Sequence, residues 1–277
     1  MAINKMIDFS NSISTTQVGG HTVILKTRDG HLLKPIEHHA EAQLYSSPPS
    51  SLVRSIPMCY AAHPYTDETG EQIQQFLINC CNEQIHKVEF FRSLRDHFKG
   101  RKFLNMLELE DVTAGMTRPC VIDLKICDLG KTEAERAIIR KKYKGTTLIE
   151  CGGFLVTGMQ YFHNEVQVFH TKYEVYLLDV EQTRERLKKF FRSERLRSPV
   201  IDLMIEKIRE VVLSLMNTPD YRFYSSSLLL AYDASNYSLA KAKLIDFGRT
   251  ERIEGSGVDA ESLGSLNSFI DFIDQLA

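Results

Sequence analysis

Between Pro199 and Met216 apolar residues recur at Ile201, Met204, Ile205, Ile208, Val211, Val212 and Leu215, a spacing that lines them along one helix face. A stripe that long must be buried against another layer, which excludes an all-β chain. The first third nonetheless reads as β. His21–Thr27 and His31–Ile36 are short strand candidates joined by Arg28-Asp29-Gly30, and Asp-Gly is a strong hairpin signal. The class is therefore α+β.

Further elements follow from local signals. A short helix over Glu37–Tyr45 stops at the loop-forming run Ser46-Ser47-Pro48-Pro49-Ser50-Ser51. Leu77, Cys81, Ile85, Val88, Phe91 and Leu94 fit a helical face within Gln74–Phe98, although Phe76–Cys81 also reads as a buried strand. Strands are expected at Phe103–Val112, Pro119–Ile126, Gly153–Phe162, Glu165–Phe169, Phe223–Tyr232 and Ala242–Phe247. Helices are expected at Thr132–Tyr143, whose basic end suits a helix C-terminus, at Glu181–Arg192, and from Asp259 to Gln275. At 277 residues the chain can form one large domain or two lobes, and we parse it as a small lobe over 1–110 and a larger one over 111–277.

Composition narrows the classes. With 43% hydrophobic and 25% charged residues the chain is neither disordered nor collagenous. No apolar run approaches a membrane span, and MAINKMIDFS lacks the apolar core of a secretory signal. A net charge of −2 argues against broad binding of nucleic acid. The six cysteines show no CxxC pair and no zinc-ligand spacing with the nine histidines, and they read as small buried thiols of a reducing compartment, cytoplasm or nucleus. Protein partners are not legible.

Three features carry chemistry. Lys34 sits near the end of a candidate hairpin strand behind the Gln17-Val18-Gly19-Gly20-His21 turn, with Glu41 seven residues on in a helix. A strand lysine steered by a helix glutamate is one way to hold nucleotide phosphates, and an exposed lysine beside an unrelated glutamate is the alternative. Asp246-Phe247-Gly248 follows the apolar Leu244-Ile245 and places a carboxylate where it can meet a magnesium ion on a nucleotide. No His-Arg-Asp tripeptide occurs, so this is not an ordinary protein kinase. Asp123 and Lys125 stand two apart on one strand and so share a face. Such a pair can deprotonate a hydroxyl while an ammonium neutralises phosphoryl charge, or it can be a surface ion-pair ladder.

Pro119, Asp123 and Lys125 match the PxxxDxK part of the signature of the inositol polyphosphate kinase family, and further segments resemble that family in order. Gln17–His21 with Lys34-Pro35 resembles the opening of the inositol hexakisphosphate kinases. Leu109-Glu110-Asp111-Val112-Thr113 resembles the multikinase hinge, Gly153–Gln160 the strand ending in Gly-Met-Gln, Tyr224–Leu230 the Ser-Ser-Leu-Leu box, and Ile245-Asp246-Phe247 the metal-site strand. Cys127 departs from the signature glycine, Lys172-Tyr173-Glu174-Val175 from the glycine and arginine that often follow that lysine, and Arg249 from the usual histidine.

The resemblance implies a two-lobed fold, protein-kinase-like or ATP-grasp-like, that binds ATP, Mg²⁺ and an inositol phosphate. It implies that Lys34, steered by Glu41, meets the ATP phosphates. The carbonyl of Glu110 and the amide of Val112 read the adenine, Asp123 lies between ribose and acceptor hydroxyl, Lys125 steadies the acceptor and the moving phosphoryl, and Asp246 holds the metal. Arg136, Arg140, Lys142 and Arg249 are expected to hold the acceptor, with a solvated basic helix face as the alternative. In that case the cationic pocket lies around Lys172, Lys243 and Arg249. The favoured acceptor is inositol hexakisphosphate. A multikinase acting on trisphosphates and tetrakisphosphates is the alternative, and a non-catalytic scaffold that binds inositol phosphates is another.

Overall fold

A computed structural model describes residues 17–18, 23–67, 70–71, 73–75, 78, 92, 95–96, 103, 105–126, 130–163, 165–192 and 198–276. The Gly19-Gly20 turn, Cys127 and most of the expected helix over Gln74–Phe98 lie outside these residues.

Two antiparallel sheets organise the chain. The first has the order β1-β2-β4-β3, from β1 (Leu25–Lys26), β2 (Leu32–Ile36), β3 (Cys59–Pro64) and β4 (Asn105–Leu109). The Asp-Gly signal makes the expected hairpin, with Leu25 opposite Leu33 and Gly30 turning at a left-handed φ of 85°. β3 was not expected. Its Cys-Tyr-Ala-Ala-His-Pro sequence has weak strand propensity, and its place is fixed by pairing with β4 from afar. The short helix α1 (His39–Ser46) follows β2 and buries Leu44 and Tyr45.

The second sheet has the order β10-β9-β5-β6-β7. Its central strand β5 (Pro119–Ile126) is bonded on one side to β6 (Phe154–His163) and on the other to β9 (Ser227–Asp233). β7 (Val166–His170) and β10 (Asn236–Ile245) form the edges. The expected strand Phe223–Tyr232 is broken in two. Ser225 turns at a left-handed φ of 60°, so β8 (Tyr221–Tyr224) leaves the sheet and pairs with β11 (Arg249–Arg252). The strand expected at Ala242–Phe247 is the second half of the longer β10.

The helices start where capping chemistry predicts. In α2 (Glu133–Lys142) Thr132 and Glu135 close a capping box, and in α5 (Val180–Phe190) Asp179 and Gln182 do the same. Ser198 caps α6 (Pro199–Met216), whose first residue is proline, and Asp259 caps α7 (Ala260–Asp274). Two single turns, α3 (Thr147–Glu150) and α4 (Lys172–Val175), were not expected from the sequence. The stripe on α6 is buried as its spacing requires. It joins one apolar core that runs from Ile36, Leu44 and Leu107 at the first sheet through Ile122 and Phe154 to Phe269 on α7. Of the cysteines, Cys120 is buried, and Cys59 and Cys151 are half-buried. No helix among the described residues is long and apolar enough to cross a membrane.

Candidate functional site

A cleft of about 620 Å³ is lined from both sheets. On one wall β2 presents Lys34 and α1 presents Glu41. Opposite them β5 presents Asp123 and Lys125, and Asp246 follows the end of β10. The alternation of a strand accounts for the shared face of Asp123 and Lys125. A bulge sharpens it. The β5–β6 register jumps between Asp123 and Leu124, Thr157 is left without a strand partner, and its Oγ donates to the Asp123 carbonyl at 3.0 Å.

Lys34 Nζ donates to Glu41 Oε1 at 2.8 Å and, in a shorter contact, to Asp246 Oδ1. Burial would push this ammonium down, but Asp246 and then Glu41 hold it well above the usual lysine range. Asp246 sits at a left-handed φ of 64° and Ser225, on the same cleft lining, at 60°, while Ser226 Oγ donates to the Asp246 carbonyl at 3.1 Å. Two non-glycine residues in that region at one cleft mark stored backbone strain. Gly248 is there for another reason. A Cβ on it would lie 2.6 Å from Cδ2 of the exposed His38 ring, so a larger residue requires that ring at the cap of α1 to shift.

Asp123 is buried, and its Oδ1 has no hydrogen-bond partner among the described residues. Burial, and then the neighbouring Asp246 charge, push its carboxyl up to about 6. This suits a group that takes a proton from an alcohol. The implied magnesium fits the same pair. Asp246 is more than one-third exposed, Asp123 offers an orphaned oxygen, and no group of three or more His, Cys, Asp or Glu gathers into a metal cage among the described residues. Magnesium is usually held in this way, by one or two carboxylates, with phosphate and water completing its shell.

The cleft lining is also cationic and aromatic. It includes Lys125, Lys142, Lys172 and Arg249 together with Tyr173 and Tyr176. The Tyr143 hydroxyl donates to that of Tyr176 at 2.6 Å, and the Lys142 ammonium lies over both rings, 4.8 Å and 5.4 Å from their centroids. Burial and then the Tyr143 hydrogen bond push Tyr176 up to about 12. No sequence signal pointed to these tyrosines, because the single turn α4 that carries Tyr173 has too few residues to show a period.

The remaining expected site residues lie elsewhere. Arg136 and Arg140 do not line the cleft. Arg136 pairs with Glu261 of α7 at 3.0 Å, and Arg140 with Glu133 of its own helix at 2.7 Å. Of the two, only the Arg136 pair ties α2 to another element, and the Arg140 pair stays within the helix. Lys243 is also absent from the lining. It donates to the carbonyls of Arg54 and Ile56 at 2.8 Å and 3.1 Å. Glu110 and Val112 lie beyond the lining too. The Glu110 side chain pairs with Lys241 and Lys243, which hold it below the usual carboxylate range against the opposing effect of burial. Val112 is packed with Val18, Val121 and Ala231 in a small apolar cluster of its own.

A family model described as inositol polyphosphate kinase matches residues 106–274. Human inositol hexakisphosphate kinase 3 is 29% identical over 197 residues, 68% of this chain and 47% of the relative. Mouse inositol polyphosphate multikinase is 32% identical over 172 residues, 59% of this chain and 42% of the relative. The chain thus spans about half the length of the curated relatives it matches. In fold it is similar to a solved inositol phosphate multikinase at a TM-score of 0.53 and 24% identity, covering 62% of this chain and 85% of that one. It is also similar to the S. cerevisiae inositol phosphate multikinase in complex with ADP and Mn²⁺, at a TM-score of 0.60 and 15% identity, covering 88% and 98%.

Proposed function

Because this chain belongs to the inositol polyphosphate kinase family, we propose that it transfers a phosphoryl group from ATP to an inositol polyphosphate. The observation that carries this reading is the convergence of Lys34, Asp123, Lys125 and Asp246, drawn from three separate segments, on one cleft. In this assignment Lys34 binds the nucleotide phosphates and Glu41 keeps its ammonium aimed. Asp123 accepts the proton of the attacking hydroxyl, and Lys125 meets the charge that builds on the moving phosphoryl group. Asp246, with Asp123 near it, holds the divalent cation, whose chemistry is to neutralise charge between phosphates.

Inositol hexakisphosphate is the favoured acceptor, because Gln17–His21 with Lys34-Pro35 resembles the opening of the hexakisphosphate kinases, and Lys125, Lys142, Lys172 and Arg249 on the lining supply cations for its phosphates. A second reading has its own support. With Arg136 and Arg140 engaged in ion pairs elsewhere, those four cations equally suit the trisphosphates and tetrakisphosphates of a multikinase. The test is to incubate the protein with Mg-ATP and a panel of inositol phosphates. We expect ADP formation with hexakisphosphate as the fastest acceptor. Faster turnover of a trisphosphate would select the multikinase reading, and a nucleotide-dependent melting shift without ADP formation would select a scaffold.

A further inference from the structure

We infer that Lys34 is a resident counter-ion on Asp246 that keeps divalent metal off this carboxylate until a nucleotide arrives. The inference rests on the reading above in one respect, that Asp246 is the metal ligand.

Lys34 is held by two carboxylates that differ in burial. The Glu41 side chain is 6% exposed and that of Asp246 is 37% exposed. Glu41 is the permanent anchor, because its carboxylate has little access to any replacement for the ammonium. Asp246 is the exchangeable partner, since it opens onto the cleft. A dication arriving alone at Asp246 would meet an ammonium already on one of its two carboxylate oxygens. That ammonium cannot simply move aside, because Glu41 pins it at 2.8 Å. Like charges at such range in a partly buried site repel strongly. Nor can the protein outbid this repulsion by enclosing the ion, since no metal cage forms among the described residues.

A polyphosphate removes the conflict. An ammonium has three donors, so Lys34 can keep Glu41 and turn the donor that faced Asp246 onto a phosphate oxygen. The vacated carboxylate oxygen and further phosphate oxygens then make up the ion's shell. Nucleotide and metal are thereby coupled, and by linkage each raises the affinity for the other by the same factor.

The test is a Mn²⁺ titration followed by the EPR signal of the free ion, with and without ADP, on the wild-type protein and on Lys34→Met. In wild type we expect ADP to tighten Mn²⁺ binding at least about tenfold. Lys34→Met should tighten nucleotide-free Mn²⁺ binding by about tenfold, and adding Asp246→Asn to that variant should remove the gain. Because Lys34→Met leaves Glu41 buried and unpaired, the double variant Lys34→Met with Glu41→Gln serves as a second, charge-balanced form, its fold checked by circular dichroism. It should show the same gain. Equal nucleotide-free affinities in wild type and both variants, in a protein that binds ADP, would overturn the counter-ion role alone. So would a gain that survives Asp246→Asn. If the wild-type protein does not bind ADP with Mn²⁺ at all, the kinase reading itself falls.

Discussion

Asp123 puts function and stability in opposition within one side chain. Its carboxyl is pushed up from 3.8 to about 6, so the folded state resists its ionisation. The sign follows from linkage. A raised carboxyl favours folding fully below the unfolded value near 3.8, and this contribution is lost as pH rises through about 6. Near neutral pH the ionised form costs stability, so Asp123→Asn should stabilise the ligand-free protein by about 3 kcal/mol at pH 7 while abolishing turnover. Urea melts at pH 7 and pH 4 check this, since most of the gain must be lost at the lower pH. The kcat/KM of the wild type should in turn fall below about pH 6 as Asp123 takes up a proton. Lys125 acts differently. If its ammonium meets charge only as transfer proceeds, Lys125→Ala should lower kcat by about a hundredfold or more and leave the KM for ATP nearly unchanged. An unaltered kcat in steady-state kinetics would reduce Lys125 to a structural residue.

At the scale of elements, α2 shows how far a sequence pattern reaches. Its span, its Thr132 cap and its basic last turn are all local properties and were all legible. The destination of its cations was not. Arg136 finds Glu261 on the last helix, and Glu135 lies 3.8 Å from Arg249, pairings that only the finished fold brings together. α2 fully buries none of its residues, and it is held at its place by these ion pairs together with Ile139, which packs against Tyr143, Leu148 and Leu155. Only Lys142, at its end, reaches the lining. Lys142→Ala should therefore raise the KM for the inositol phosphate by about tenfold, the worth of one charge-assisted contact, with the KM for ATP unchanged. Arg140→Ala should change neither. The same division runs through the strands. Pro119–Ile126 was read to the residue because its β-branched run is a local signal. β3 and the break at Ser225 were missed, because long-range pairing and a left-handed serine leave no mark in composition.

Across the whole molecule the two sheets are not independent bodies. The segment between α1 and β3 is tied to the larger sheet. Lys243 clasps the carbonyls of Arg54 and Ile56, the Leu244 amide donates to the Ser55 carbonyl at 2.7 Å, and Ser55 Oγ donates to Ser214 of α6 at 2.6 Å. With the apolar core continuous across both sheets, urea should unfold the chain in one transition, with fluorescence and circular dichroism coinciding. Lys243→Met should cost about 1–3 kcal/mol, since two carbonyls lose their donor. At the middle of this assembly lies β5, bonded along both edges, with Asp123 and Lys125 on its cleft side. Gain or loss of one residue in that strand before Asp123 would either break two ladders at once or turn both charges into the core and bring Ile122 and Leu124 out to the cleft. Length variation between descendants of this chain is therefore confined to its turns and sheet edges, and β5 can drift only by exchanging one side chain for another.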